Sequence, residues 1–394
     1  MRILIITILA TFFFLMAAAQ VDENQFQNTA QKLLEKDKDE SLVIGGYGQI
    51  DYNQALGNGN HNNGNLDVHR LVLLFGYHFT DRLQMITEIE FEHVKEVYVE
   101  QAFLNYRLNN YMNLRGGLIL IPMGRVNEYH EPPVYNGVER PNVDKYIVPT
   151  TWREIGAGIS GTLPGPSLKY QAYIVNGFTG YNNGPGFNGK NGLRGGRQKG
   201  AESIISNPNF SMKLEYFGVP GLSMGLSGYF GKSQSTLYHG LDKNDTQGIS
   251  IADSSVVGTA MVGMDIRYQL KGLQLMGQFI YNNLSNTLQY NQSTGSDLGS
   301  SMLGYYLEVG YDLLNGSDKG EQKLIPFIRY ENYNTHASVE GNIVKNDAFN
   351  RTDITVGIGY WFTAGAAVKA DYQRFTNATG TDNNQLNMGI AFMF

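Results

Sequence analysis

The sequence predicts an all-β chain closed into a transmembrane, antiparallel, up-and-down β-barrel of about 16 strands, with a loop folded inward as a constriction. Three observations predict it. Apolar and polar residues alternate with period two in segments of about ten residues, from Leu42 to Phe394. The connections between those segments alternate between tight turns and longer polar loops. The closing segment, "QLNMGIAFMF", puts Leu386, Met388, Ile390, Phe392 and Phe394 on one face and Gln385, Asn387, Gly389 and Ala391 on the other.

Composition sets the limits. The 394 residues are 42% hydrophobic and only 17% charged, with 47 Gly, 25 Tyr and a formal net charge of −6. Charge is below the quarter or so common in soluble domains. The chain has no Cys, which excludes disulfides, thiolate metal sites and Cys nucleophiles together. A weakly acidic chain without a basic block is not built to bind nucleic acid.

The elements follow in chain order. "MRILIITILATFFFLMAAAQ" has one positive charge at Arg2, an unbroken apolar run and three alanines before Gln20. Residues 1–19 read as a secretory signal peptide cleaved after Ala19. No later segment is long and apolar enough to be a spanning helix. Residues 20–41, including "VDENQFQNTAQKLLEKDKDE", predict a short exposed helix or periplasmic linker. Residues 42–394 are the barrel.

Within the barrel, "LVIGGYGQIDYNQ" separates Leu42, Ile44, Ile50 and Tyr52 from Tyr47, Gln49, Asp51 and Asn53. "RLVLLFGYHF" groups Leu71, Leu73, Phe75, Tyr77 and Phe79. "LQMITEIEFE" separates Leu83, Met85, Ile89 and Phe91 from Gln84, Glu88, Glu90 and Glu92. "SMKLEYF", "ITVGIGYWF" and "VKADYQRF" repeat the pattern. Tight joints fall at 80–82, 109–110, 164–167, 219–221, 271–272 and 363–365, with Gly- and Asn-rich loops between them. A soluble sandwich has no reason for such regular alternation; an outer-membrane barrel does, with tight periplasmic turns and long extracellular loops. Rings near strand ends, among them Tyr77, Phe79, Tyr106, Tyr216, Phe217, Tyr268, Tyr311, Tyr360, Trp361 and Phe362, suit the headgroup level of the outer-membrane lipid. The last strand should pair with the first near Leu42, removing an edge that a bilayer would not tolerate.

The inward face of these strands carries both signs. Arg70, Arg107, Arg115, Lys169, Lys213, Arg267, Arg329 and Lys369 stand against Glu88, Glu90, Glu92, Glu215, Asp265, Glu308, Glu331 and Asp371. Rings of one sign select ions, whereas interspersed signs line water. One connection breaks the loop rule. "PMGRVNEYHEPPVYNGVERPNVDKYIVPTT" is long, charged and stiffened by Pro122, Pro132, Pro133, Pro141 and Pro149. Folded into the lumen of a sixteen-stranded barrel, residues 122–151 would narrow it. Arg125, Arg140 and Lys145 would then face Glu128, Glu131 and Glu139 across the passage, with His130 and Arg153 beside them.

The same stretch resembles a family. "HRLVLLFGYHFTDRLQMITEIEFEH" and "GGLILIPMGRVNEYHEPPVYNGVERPNVDKYIVPTTWREIGAGISG" are similar to the phosphate-selective porins O and P and their relatives. The shared features are Gly117, Pro122 with Gly124, Arg140-Pro141, Pro149, Arg153, and Gly156 with Gly158. The resemblance covers the first half well and the rest as strand pattern only. It implies a sixteen-stranded homotrimeric porin with the third long loop as its constriction. A C-terminal Phe, with Phe392 before it, likewise resembles the signal read by the barrel-assembly machinery of Gram-negative bacteria. The implied solutes are small hydrophilic molecules or inorganic anions, without a cofactor. That family's phosphate selectivity goes with a one-sided basic ladder, and the mixed wall here departs from it.

Other chemistries are weaker. Glu128, His130 and Glu131 match no metal-site spacing, so no metal is expected. Glu88, Glu90 and Glu92 share one water-facing wall rather than forming an acid/base pair. "GGYGQ" and "LRGGRQKG" lack the strand-to-helix setting of a phosphate loop, though the second offers a basic patch in Arg194, Arg197 and Lys199. A barrel enzyme would need residues converging at one level, whereas His61, His69, His78, His93, His130, His239 and His336 scatter along the chain. The expected activity is passive diffusion through an outer-membrane channel, not catalysis.

Overall fold

The computed structural model describes residues 28–35, 41–57 and 62–394. The signal peptide expected over 1–19 lies outside the described residues, as does His61. The first half of the barrel is built from β1 (Leu42–Leu56), β2 (Asn65–His78), β3 (Leu83–Glu92), β4 (Glu96–Asn109), β5 (Met112–Leu120), β6 (Arg153–Leu163) and β7 (Leu168–Val175). A short strand, β8 (Thr179–Tyr181), follows in a loop, then β9 (Asn209–Val219) and β10 (Leu222–Lys232). The second short strand is β11 (Gln234–Ser235), which pairs parallel with β8 outside the barrel. β12 (Gly258–Leu270), β13 (Leu273–Ser285), β14 (Ser301–Tyr311), β15 (Lys323–Ser338), β16 (Asn350–Thr363), β17 (Ala366–Asn377) and β18 (Asp382–Met393) complete the wall.

Sixteen of these strands form one closed antiparallel barrel in which each pairs with its chain neighbour and β18 pairs with β1. Closure runs from Tyr47 opposite Met393 to Leu56 opposite Asn384. It continues through Phe394, whose N–H donates to the Gly46 carbonyl at 2.9 Å and whose carbonyl accepts from the Gly46 N–H at 3.1 Å. Gly46 and Gly48 are required here for space. A Cβ on Gly48 would lie 2.3 Å from the Phe392 ring, and one on Gly46 would lie 2.8 Å from the Phe394 ring. The two rings lie over bare backbone on the outer face, where β-strand glycines accept an aromatic neighbour. Gly46 and Gly48 of "GGYGQ" are thus a seat for the chain's last two aromatics.

The turns expected at 80–82, 109–110, 164–167, 219–221, 271–272 and 363–365 all fall on one rim. The opposite rim carries the long connections 121–152, 176–208 and 233–257. The alternation has exceptions: 93–95 and 378–381 are short on the long-loop rim, and 312–322 is extended on the turn rim.

The pattern of burial is inverted relative to a soluble protein. Apolar side chains on the outer face are exposed, such as Ile44, Leu71, Met264 and Val356, while luminal Lys213, Arg329 and Glu331 are buried. An apolar outer face of this kind suits contact with lipid; the protein's own inward-folded segments cover the second group. Tyr77 packs edge-on to Phe79, and Tyr360 to Phe362, each at 4.9 Å, on the turn rim. Two of the expected rim aromatics are different: Phe217 and Trp361 are buried.

The helix foreseen in 20–41 is present at Thr29–Glu35, but it is not exposed. Ala30 and Leu33, three residues apart on one helical face, are buried in the same cluster as Val43 and Ile86. Leu33 lies against the bare inner wall at Gly45 and Gly76. The Gln84 amide, on the inner face of β3, donates to the Leu34 carbonyl at 2.8 Å. The helix therefore lies inside the barrel near the turn rim.

Two predictions follow from this register. Val356→Arg or Leu73→Arg puts a charge into lipid and should cost about 2–4 kcal/mol near the midplane; Thr355→Ser, one position away on the inner face, should cost far less. Heat-modifiable gel mobility in detergent reads the folded fraction, and equal damage at both faces would overturn the assignment. Gly48→Leu should block seating of Phe392 and slow closure, and combining it with Phe392→Ala should restore folding. Absence of that rescue would count against the aromatic seat.

Candidate functional site

Residues 121–152 leave β5 and fold into the lumen. Of residues 121–150, Lys145 alone is exposed. The loop's own start is tied by Asn127, whose amide donates to the carbonyls of Ile121 (2.7 Å) and Trp152 (2.9 Å) and whose oxygen accepts the Trp152 N–H (2.7 Å). From there the loop is bonded around most of the wall. Glu128 pairs with Lys213 of β9 at 2.8 Å. The Arg125 N–H donates to Gln278 of β13, and Asn136 donates to Glu308 of β14. The Val143 N–H reaches Glu331 of β15, Asn142 reaches Asp353 of β16, and the Val138 N–H reaches Asp371 of β17.

Lys369 holds the middle of the loop. Its ammonium donates to the carbonyls of Pro132, Tyr135 and Gly137, so its three protons meet three acceptors. Trp361 shares the inward parity of Thr355, and its indole N–H donates to the Pro133 carbonyl at 3.1 Å. Outside the loop, Arg194 and Arg197 form no open basic patch. The Arg197 guanidinium caps the carbonyls of Pro149, Thr150 and Thr151 at 3.2, 2.9 and 3.2 Å. Below the loop, the Thr29 N–H donates to Glu131 at 2.7 Å, and Asn28 donates to the Glu128 carbonyl at 2.9 Å.

Several of the mixed wall charges are paired rather than simply bathed in water. Arg329 lies between Glu308 (3.2 Å) and Glu331 (3.0 Å) and also donates to the Glu139 carbonyl. Lys213 bridges Glu128 and Asp265, and Arg70 lies 3.5 Å from Glu90. Buried pairs of this kind add little net stability, but removing one member strands the other and is costly.

A further cluster contains Glu100, a residue that strand parity assigns to lipid. In the β3–β4 ladder Glu88 faces Gln101, whereas Ile89 faces Val99. Glu100 is the extra residue of a β-bulge, which turns its side chain inward. Its carboxylate lies 3.1 Å from His130 Nε2, with Glu88 3.7 Å from the same atom and Arg153 3.8 Å from its other oxygen. The Tyr47 hydroxyl lies within hydrogen-bond reach of both carboxylates, 2.6 Å from Glu88 and 3.2 Å from Glu100, with one proton to donate. Burial works against a charged imidazole, but the charge and hydrogen bond of Glu100, with Glu88 behind them, outweigh it and raise the His130 pKa well above its ordinary value. On the other side of the loop, burial pushes the Asp144 carboxyl up to about 7, against the hydrogen bond from Gln278.

The loop leaves two chambers. A vestibule of about 630 Å³ opens toward the long-loop rim and is lined by Arg140, Lys145, Glu139, Arg351, Glu92 and neighbours. A second, of about 340 Å³, lies toward the turn rim, lined by Arg107, Arg115, Lys169, Lys213 and Glu215. Between them is a waist cavity of about 20 Å³ lined by Arg125, Arg267, Arg329, Glu308, Tyr129, Tyr135 and Tyr306. It shares Tyr135 and Pro141 with the first chamber and Tyr129 with the second.

The expected constriction residues are therefore only partly brought together. Arg125 lines the waist, while Arg140 and Lys145 line the outer vestibule. Glu128 and Glu131 do not face them: one is taken by Lys213, the other by the helix at Thr29. Glu139 accepts from Asn53 at 3.0 Å. Arg153 and His130 belong to the Glu100 cluster, which locks the loop to β3 and β4. Nor do the histidines stand alone: His69 and His93 converge on Asp67.

No family model matches the chain. An uncharacterized protein of Aquifex aeolicus (strain VF5) is 32% identical over 364 residues, spanning 90% of this chain and 80% of that protein. The chain belongs to the family of that Aquifex protein. Among solved structures, the outer membrane channel DcaP of Acinetobacter baumannii matches with a TM-score of 0.56 at 12% identity, over 90% of this chain and 97% of that one. An anion-selective porin from Comamonas acidovorans gives 0.55 at 12% identity, over 90% and 99%. The trimer form of OmpT, an outer membrane protein of Vibrio cholerae, gives 0.52 at 11%, over 90% and 99%. These likenesses establish the fold: a closed sixteen-stranded antiparallel barrel like those of the three outer-membrane proteins.

His130 sets a pH dependence. A base with a raised folded-state pKa contributes its tether below that value and loses it as pH rises through it. Channel conductance should thus stay steady through neutral pH and become larger and noisier in alkali. His130→Gln should be loose already at neutral pH, without the alkaline step. Bilayer recordings across pH that gave both proteins one profile would remove the tether.

Proposed function

We propose that this chain is an outer-membrane porin, a water-filled channel for passive diffusion of small hydrophilic solutes and ions, with no catalytic role. One observation carries the reading. A lipid-compatible closed barrel holds a polar vestibule at each end, and a charged waist between the two vestibules shares lining residues with both. The long-loop rim is then external and the turn rim periplasmic, with export by a cleaved signal peptide and the C-terminal Phe394 read during barrel assembly. Outer-membrane lipid is the partner of the apolar face. A homotrimer is the assembly we favour, supported by the trimeric form of the OmpT neighbour.

A second reading, uptake of inorganic anions, is favoured by the waist itself. Three guanidinium groups and one carboxylate line it, namely Arg125, Arg267, Arg329 and Glu308. The resemblance to the phosphate-selective porins O and P agrees with that sign. The waist weighs most in this reading, because low-dielectric walls concentrate the field there, and the basic lining of the inner vestibule, with Arg107, Arg115 and Lys169, has the same sign.

Reversal potentials in a salt gradient test both. Arg125→Glu or Arg267→Glu should shift selectivity toward cations, more so at low salt, where screening is weak. Arg107→Glu, on the wider inner vestibule, should shift it less. Deleting Glu128 to Val143 should raise conductance and admit larger sugars. If the waist variants and the deletion leave both selectivity and exclusion unchanged, the path does not run through this waist.

A further inference from the structure

At the long-loop rim, beside the outer vestibule, three metal-ligating side chains meet that no role described so far uses. Asp67 and His69 lie two residues apart on β2, and His93 starts the tight connection from β3 to β4. His93 Nδ1 is 2.5 Å from Asp67 Oδ2, and His69 Nδ1 is 3.7 Å from the same oxygen. The two imidazoles cross edge-to-face at 5.5 Å, and the three donor atoms all lie within 4.8 Å of one another. From these contacts we propose that Asp67, His69 and His93 form a binding site for a borderline-soft divalent transition metal such as Zn²⁺, at the mouth of the pore.

The backbone builds the cluster in two ways. In the β1–β2 ladder Gln49 faces Arg70 but Asp51 faces Asp67, so β2 carries an extra residue between them. That bulge lets His69 and Arg70, adjacent in sequence, both reach the vestibule. In the connection after β3, His93 and Val94 hold φ values of 52° and 62°, in a turn closed by the Lys95 N–H on the Glu92 carbonyl. A β-branched residue in that region is strained, and such strain concentrates at functional positions. The turn places His93 over β2, where its N–H donates to the His69 carbonyl at 3.3 Å.

The donor set suits the metal class. Two imidazoles and one carboxylate match the three protein ligands of zinc sites that leave a fourth position open. Tetrahedral bonds of about 2.0–2.1 Å put ligand atoms about 3.3 Å apart, and the two N···O separations lie on either side of that figure. Without metal, Arg70 donates to His69 Nε2 at 3.0 Å, which keeps that imidazole's proton on Nδ1 and aimed at Asp67. On loading, the metal replaces the proton at Nδ1, and Nε2 takes one up. The Arg70 guanidinium then turns from His69 to Glu90, 3.5 Å away. Hard cations, which prefer an all-oxygen shell, gain nothing from the imidazoles.

The test uses the full chain folded in detergent, titrated with ZnCl₂ and separately with CaCl₂ by calorimetry. The expected result is one Zn²⁺ per chain, with His93→Ala and Asp67→Asn each weakening it more than about 100-fold and Arg70→Gln tightening it. CaCl₂ should give no comparable heat. Heat-modifiable mobility confirms that each variant is folded, and Lys345→Ala, at another connection of the same rim, should bind as the parent does. Equal Zn²⁺ binding by the parent and a folded D67N/H69A/H93A variant overturns the site, as does Ca²⁺ binding of equal strength. Binding is read without any channel measurement, so its failure and the failure of the porin reading are distinguishable.

Discussion

Everything in this barrel depends on the pairing of its last strand with its first. A sheet in hydrocarbon cannot leave a row of backbone N–H and C=O groups open, because each unsatisfied group costs several kcal/mol there. Tyr47 to Leu56 meet Asn384 to Met393 across that seam, and the backbone of Phe394 extends it by two bonds to Gly46. Only glycine at 46 and 48 leaves the outer face bare enough for Phe394 and Phe392 to lie across it. Closure then fixes the sidedness of all sixteen staves, and with it a lumen whose lining must be polar.

That lumen is satisfied by protein more than by open water. The inward loop spends its backbone carbonyls on Lys369, Arg329 and Arg197, and its N–H groups on Gln278, Asp371 and Glu331. An aromatic anchor, Trp361, faces in from the wall and holds the Pro133 carbonyl, while Val143 and Ile147 of the loop pack with Met302 and Tyr306 of the wall. The helix Thr29–Glu35 closes the arrangement from below through Glu131. The loop is thus a scaffolded partition, and its many small bonds leave a narrow waist rather than a wide opening. Several fixed charges of the wall are paired with one another or with the loop, and three arginines line the waist.

β-bulges do more here than relieve twist. One turns Glu100 inward and supplies the counter-charge for His130; another, in β2, lets His69 reach the vestibule beside Arg70. In both places a residue that strict alternation assigns to lipid becomes a member of a polar cluster. The two clusters differ in purpose: the first is buried and fully engaged with the loop, while the second is half-exposed at the rim.

The sequence by itself determined the barrel, its sixteen-strand count, the sidedness of Leu73, Val356, Glu88 and Lys213, the turn rim and the loop that enters the lumen. Each is carried by period-two patterning or by turn chemistry, which are local and survive in one dimension. Tertiary structure decided which charges meet. Glu128 goes to Lys213 and Glu131 to Thr29, rather than across the passage to Arg125, because the loop's path around the wall sets those distances. The burial of Thr29–Glu35, the bond of Trp361 to the Pro133 carbonyl and the recruitment of Glu100 were likewise not legible. A bulge shifts parity by one residue with no change of composition, and a helix end finds its partners only after the wall has closed around it.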